Sequence, residues 1–242
     1  VEMALGTYWG GTKDNAICNS AFATIVVKKK QGKIFEKCVK TFTEDILAEY
    51  CVTDPDLKIK CKDKGKGVLE VVKNKDLIKL ISILNILPNG VIKMNNDDGR
   101  PDAVETSANI GVVNVKPKSF EIVRSLRSNR EPALEWMISK ISMIAAPYDV
   151  QLTFRGWYPA WERKKSEFAQ NAAELYEKMT GRKTELYTIH AGLECAVFSK
   201  KIKGMDAISI GPLMEGVHTT SERLSISSTK SIWEYLVELL KL

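Results

Sequence analysis

Through about residue 155 the sequence mixes period-two and period-3.6 hydrophobic segments with hairpin-length links; after residue 161 helix-like and strand-like segments succeed one another in turn. This change of order constrains the fold more than any other feature. In the first stretch, Val1 to Thr7 is strand-like. Ala21 to Val27 alternates after a turn at Gly10-Gly11, with Ile25 and Val27 on one side and Phe22, Thr24 and Val26 on the other. Val39, Phe42, Ile46, Leu47 and Tyr50 then form a helical stripe, and Leu77, Leu80, Ile81 and Leu84 form another. Asn74 and Asp76 open that second helix and Pro88-Asn89-Gly90 closes it. Asn95 to Pro101 is a polar hairpin loop, without the spacing or closing Glu of a calcium loop. Two longer strands follow, Val104 to Val115 and Ser119 to Leu126. A helix near Pro132 carries Leu134, Met137, Ile138, Ile141 and Ile144, and Tyr148 to Phe154 alternates again. The expected result is a sheet with helices on one face.

Gly156 to Trp161, with Gly156, Pro159 and three aromatics, reads as a hinge. Beyond it come a helix with Phe168, Ala172, Leu175, Tyr176 and Met179 on one side, stopped by Gly181, and a strand at Glu185 to Ile189. A short helix at Leu193 to Phe198 and a strand at Met205 to Ile210 follow. The last helix is expected to turn Ile232, Leu236, Leu239 and Leu240 inward, with Ser231 and Glu234 as a capping box. This alternation points to a parallel or mixed α/β layer.

Composition narrows the setting. The 242 residues suit one large domain or two small ones, and 44% hydrophobic residues can fill a core. Lys and Arg number 36 against 30 Asp and Glu, a mild net charge of +6. Five cysteines, none in a Cys-x-x-Cys pair, indicate a reduced intracellular protein. No stretch is apolar and long enough to span a membrane. Val1 is not an initiator and no lead-in precedes the first strand, so the chain reads as cut from something longer; a processed natural chain is the alternative. Lys58, Lys60, Lys62, Lys64 and Lys66 share one parity. They read as an edge strand whose lysines discourage pairing, rather than a nucleic-acid strip, because no aromatics interleave to stack on bases.

Candidate chemistry is sparse. The two histidines, His190 and His218, each follow a strand-like segment in Gly-rich sequence, where open α/β sheets place ligands. His218 reads equally as a loop residue. His190 opens His190-Ala191-Gly192-Leu193-Glu194, whose small residues at a helix start let backbone N–H groups approach an anion, although Gly192 could equally serve turn geometry. Arg124 shares its parity with Phe120, Ile122 and Leu126. A guanidinium on an apolar face needs a carboxylate, from the fold or from a ligand; an internal ion pair or exposure at the strand end is the alternative to a ligand site. Asn15 reads as a turn residue. A hydrolytic metal site needs roughly three protein ligands, and two isolated histidines without a His-x-Asp or Glu-Glu pair do not make one. No Gly-x-Ser-x-Gly elbow, P-loop or dinucleotide fingerprint is present.

Several blocks in order resemble one family. They are Gly10-Gly11-Thr12-Lys13-Asp14-Asn15-Ala16-Ile17, Pro88-Asn89-Gly90-Val91-Ile92, Glu105-Thr106-Ser107-Ala108-Asn109-Ile110-Gly111-Val112 and Arg124-Ser125-Leu126. The strongest is Ile189-His190-Ala191-Gly192-Leu193-Glu194-Cys195, followed by Gly211-Pro212 and His218. Together they resemble the Xaa-His (aminoacyl-histidine) dipeptidases, co-catalytic zinc exopeptidases. The resemblance implies an α/β chain corresponding to the C-terminal half of such an enzyme. Residues 1–155 would be an α+β lid or dimerisation domain lacking its first elements, and residues 156–242 the C-terminal segment of the α/β catalytic domain. In the family two zinc ions activate a bridging water and a Glu acts as general base. Of the ligand positions only His218 is matched here, so this chain alone is expected to be inactive.

The resemblance also places Arg124 at the substrate's carboxylate end, Asn15 in the pocket and Gly192 at a backbone contact, with Thr106 and His190 as further substrate-side positions. It implies a dipeptide substrate, a cytoplasmic homodimer, and neither nucleic acid nor membrane as partner. A non-catalytic dimerising or peptide-binding module is the alternative. Ile17-Cys18-Asn19-Ser20 and Thr219-Thr220-Ser221-Glu222 depart from the family's Ile-Pro-Arg-Glu and Ser-Pro-Asp-Glu, which puts substrate preference in doubt.

Overall fold

The computed structural model describes residues 1–67, 69–95, 103–162, 165–188, 190, 192–217 and 221–242. The chain divides into two compact units. One comprises Val1–Gly90, Ala108–Ser125 and Ile141–Val150; the other comprises Val91–Ser107, Leu126–Lys140 and Gln151–Leu242.

The first unit begins with β1 (Met3–Gly10), β2 (Ala21–Val27), α1 (Gly32–Glu49) and α2 (Asn74–Ile86). Four elements contribute residues to both units: β3 (Gly90–Met94), β4 (Val104–Lys116), β5 (Ser119–Ser128) and α3 (Glu131–Ala145). The strands form a sheet of order β2-β1-β4-β3, and β5 also pairs with β4. β1 lies antiparallel to β2, with an irregularity between Leu5 and Thr7, and antiparallel to β4, where Gly10 faces Val113 and Tyr8 faces Val115. Alternation explains the core. Val113 and Val115 of β4 are buried with Val72 and with Leu80 of α2. Phe120 and Ile122 of β5, Leu5 and Tyr8 of β1, and Leu77 and Leu84 of α2 pack against them. Each fully buried side chain of this size contributes about 1.5–3 kcal/mol of transfer free energy. α2 thus covers one face of the sheet, as its sequence period implied.

The stripe on α1 behaves differently. No residue of α1 is buried, and Phe42 is 59% exposed. The amphipathic pattern is present, but the apolar face is not taken up within the core. The five alternating lysines from Lys58 to Lys66 correct a second expectation: they form no strand and lie in exposed irregular chain. Among the described residues no strand pairs with them, and pairing, not alternation alone, makes a strand.

In the second unit, α4 (Glu167–Thr180) packs on α6 (Ile226–Leu239). Ala172, Tyr235 and Leu239 are buried there, with Phe168, Leu175, Tyr176 and Ile208 against them. The Tyr235 hydroxyl donates to the Ala172 carbonyl at 2.7 Å, and its ring meets Tyr176 edge-on at 5.2 Å. Ser166 caps α4 by accepting from the Ala169 N–H, and Gly181 ends it with φ 68°, the left-handed value that glycine adopts without strain. α5 (Glu194–Lys201) falls where the sequence placed a short helix. β6 (Met214–Glu215) and β7 (Arg223–Leu224) pair antiparallel.

The mixed α/β reading holds, with antiparallel pairing where the register is defined. Three expected strands are not formed. The described residues of 185–189 are irregular, as is 205–210. In the 148–154 stretch, Tyr148 ends a short 3-10 turn and the rest is irregular. Among the described residues no strand pairs with them, so their backbone groups have no ladder to join. The last helix begins earlier than expected, with Ser225 rather than Ser231 as its cap. Tyr235 and Leu239 turn inward, and Leu240 is 78% exposed. The Asn95–Pro101 loop lies, after Asn95, outside the described residues.

Candidate functional site

In the first unit, two of the sequence blocks quoted above meet. The Asn109 side-chain amide donates to the carbonyls of Asp14 and Ala16, at 2.7 and 2.8 Å, and so straddles exposed Asn15. Gly11, at φ 76°, lies against the Gly111 carbonyl, and a Cβ on Gly111 would run into the backbone of Lys13 and Asp14. Two glycines facing each other let the loop lie directly on β4. The Asn89 side chain accepts from the Ile110 N–H at 2.8 Å, tying the chain after α2 to the same strand.

Arg124 continues the inward parity of Phe120 and Ile122. Its Nη2 donates to the Pro88 carbonyl, just beyond the C-terminus of α2, where a positive charge is favoured. Its Nε and Nη1 are buried without a partner. Burial lowers its pKa to about 10, so it stays charged at neutral pH. Among the described residues Arg124 forms no internal ion pair.

The second unit holds a dense polar group around the first half of β4. Asn95, Glu105 and Thr106 are 3%, 3% and 2% exposed, and such groups must find partners. The Glu105 carboxylate accepts from Lys93 at 2.9 Å. Thr106 and Ser128 share a hydrogen bond of 2.9 Å, and the Ser128 hydroxyl accepts from the Arg130 N–H. The Asn95 amide donates to the Thr188 hydroxyl at 3.2 Å. Ser107 Oγ lies 2.6 Å from His190 Nε2, and Arg127 Nη1 donates to the His190 carbonyl at 3.2 Å. Burial lowers the His190 pKa and the Arg127 charge lowers it further, against a hydrogen bond to the Val104 backbone that favours the charged ring. A Cβ on Gly192 would stand 2.7 Å from the Tyr158 ring. A side chain at residue 192 would have to displace that ring, and the φ of Gly192 is not in the left-handed range.

Of the sequence candidates, Asn15 and Arg124 thus belong to the first unit, and Thr106, His190 and Gly192 to the second; His218 lies outside the described residues. Sequence reasoning missed Ser107, Arg127, Asn109 and Tyr158. The run Glu105-Thr106-Ser107 inside a long strand was the available signal, since three polar residues in succession put polarity on both faces.

Known proteins match nearly the whole chain. It is 32% identical over 244 residues to the cytosol non-specific dipeptidase of Escherichia coli (strain K12), covering all of this chain and 49% of that protein. The crystal structure of an aminoacylhistidine dipeptidase from Vibrio alginolyticus superposes with a TM-score of 0.83 at 27% identity, covering 99% of this chain and 48% of that one. The chain is a dipeptidase homologue. It spans about half the length of the relatives it matches. No protein-family model matches it. Among the described residues of this dipeptidase homologue, no three His, Cys, Asp or Glu side chains gather where they could hold a metal ion, so those residues do not fit a metal centre. Among them, too, no helix is long and apolar enough to cross a membrane.

Proposed function

We propose that this chain is the C-terminal portion of a metal-dependent dipeptidase acting on dipeptides of the Xaa-His kind, and that it supplies part of the substrate-binding side. The observation that carries this reading is Arg124, a buried guanidinium with two unpartnered nitrogens in a dipeptidase homologue. A dipeptide ends in a free carboxylate, which a planar fork of N–H donors recognises bidentately. Arg124 takes that carboxylate. In the first unit Asn15, held in place by Asn109, is a further substrate contact; in the second unit Gly192, through its backbone, Thr106 and His190 are the substrate-side residues. Residues 1–155 form the lid and residues 156–242 belong to the catalytic domain.

Zinc is the proposed cofactor of the intact enzyme, with His218 as one ligand and the rest outside this chain. The described residues are assigned to substrate binding rather than to the metal, and the chain alone is inactive. The cytosolic naming of the Escherichia coli relative and five free cysteines support a cytoplasmic location. The exposed apolar stripe of α1 supports a homodimer formed through the lid.

The test is hydrolysis of unblocked Xaa-His dipeptides by the full-length protein with zinc, before and after chelation. Cleavage that is lost on chelation and restored by zinc is expected. Intact dipeptides under all three conditions would reject the enzymatic reading. Dipeptide binding without cleavage would favour the non-catalytic module instead.

A further inference from the structure

His190 is held from three sides within its own unit. Its Nε2 lies 2.6 Å from Ser107 Oγ, its ring is hydrogen-bonded to the Val104 backbone, and its carbonyl accepts from Arg127. A carbonyl can only accept, so the ring donates its N–H to Val104. A neutral imidazole has a single N–H, and both burial and Arg127 disfavour the charged ring. With that proton committed to Val104, Nε2 is left as an acceptor, and the Ser107 hydroxyl is the group able to donate to it. Two residues further on stands Gly192, beneath the Tyr158 ring with no room for a Cβ.

We propose that Ser107 is a positioning residue: its hydroxyl donates to His190 Nε2 and thereby holds His190, and with it the Gly192 backbone two residues on, in the orientation that receives the peptide. The ring nitrogens of His190 are then occupied by β4. Substrate is met by the Gly192 backbone, and the His190 side chain acts as a strut. This rests on the dipeptidase reading for what the segment binds, but not for the hydrogen bond itself.

The experiment has two arms on the full-length protein. In the first, nitrogen-15 NMR of the His190 ring, assigned by comparison with His190→Gln, should show a neutral ring at pH 7 with Nε2 unprotonated. Ser107→Ala should shift that nitrogen and Ser107→Thr should restore it. An Nε2 that carries the proton, or that ignores Ser107→Ala, overturns the proposal whether or not dipeptides are cleaved. In the second arm, Ser107→Ala should raise KM for dipeptides about 3- to 10-fold, the range of one lost hydrogen bond, with kcat changed less and the Thr variant close to wild type. Cleavage by wild type with KM unchanged in Ser107→Ala overturns the proposal and leaves the dipeptidase reading standing. Absence of any cleavage by wild type removes that reading, and the NMR arm then decides the positioning role alone.

Discussion

At the scale of single residues, the telling groups are those whose charge or polarity the fold leaves incompletely answered. Arg124 was legible in the sequence because strand parity put a cation in line with Phe120 and Ile122. The identity of its acceptor was not, since Pro88 lies 36 residues away and offers only a backbone oxygen. His190 was legible as a candidate, but its partner Ser107 was not, because 83 residues separate them. The lowered pKa of His190 has a consequence for stability. Between its ordinary value of 6.5 and its lower folded value, the unfolded chain holds a proton that the folded chain does not. Folding stability therefore falls as pH drops through that window. Urea unfolding between about pH 7 and pH 5 should show a steeper loss in wild type than in His190→Gln. Equal slopes would mean that the ring is not held neutral.

At the scale of elements, the sequence succeeded where a segment's own period decided the outcome and failed where a neighbour did. α2 and α4 form where their spacing placed them and bury Leu80 and Ala172 as selected, but Ile81 and Met179 are exposed while Ile83, Ala169 and Ala173 are buried; β2 begins and ends where alternation placed it. The segments 185–188 and 205–210 carry strand-like sequence but meet no paired strand among the described residues. The cap of α6 was misplaced because Ser227, Ser228 and Thr229 in its first turn read as loop; the structure uses Ser225, whose side chain accepts from the Ser228 N–H. The contact of the Gly10-Gly11 turn with β4 was also out of reach, though both partners stood in the quoted blocks. It gives a sharp expectation. In Gly111→Ala the added methyl would meet main-chain atoms of Lys13 and Asp14, which cannot swing aside as a side chain would. A loss of about 1–3 kcal/mol in chemical denaturation is predicted, together with weaker dipeptide binding through the displaced Asn15 loop. Unchanged stability would show that the loop does not rest on β4.

At the scale of the whole molecule, the exposed stripe on α1 stands beside a core built by α2 and the sheet. An apolar face of this kind is the expected mark of association, and a two-fold contact would use the same stripe from each copy. Phe42, at 59% exposure, is no part of the buried core, so Phe42→Asp should change the melting temperature of the isolated subunit only slightly. In sedimentation experiments the full-length protein should be a dimer and the Phe42→Asp variant a monomer. A wild-type monomer, or a variant that still pairs, would remove α1 from the interface.

The central claim, that this chain grips the carboxylate end of a dipeptide through Arg124, is tested most directly by comparing free and C-terminally amidated dipeptides with wild type and Arg124→Met. Met keeps most of the volume and removes the buried charge, so the fold should hold. The account predicts that wild-type full-length protein prefers the free carboxylate by about 10- to 100-fold in kcat/KM, the range of charge-assisted hydrogen bonds, and that Arg124→Met abolishes this preference by losing only the free substrate. A variant that keeps the preference, or a wild type that never had one, would contradict it.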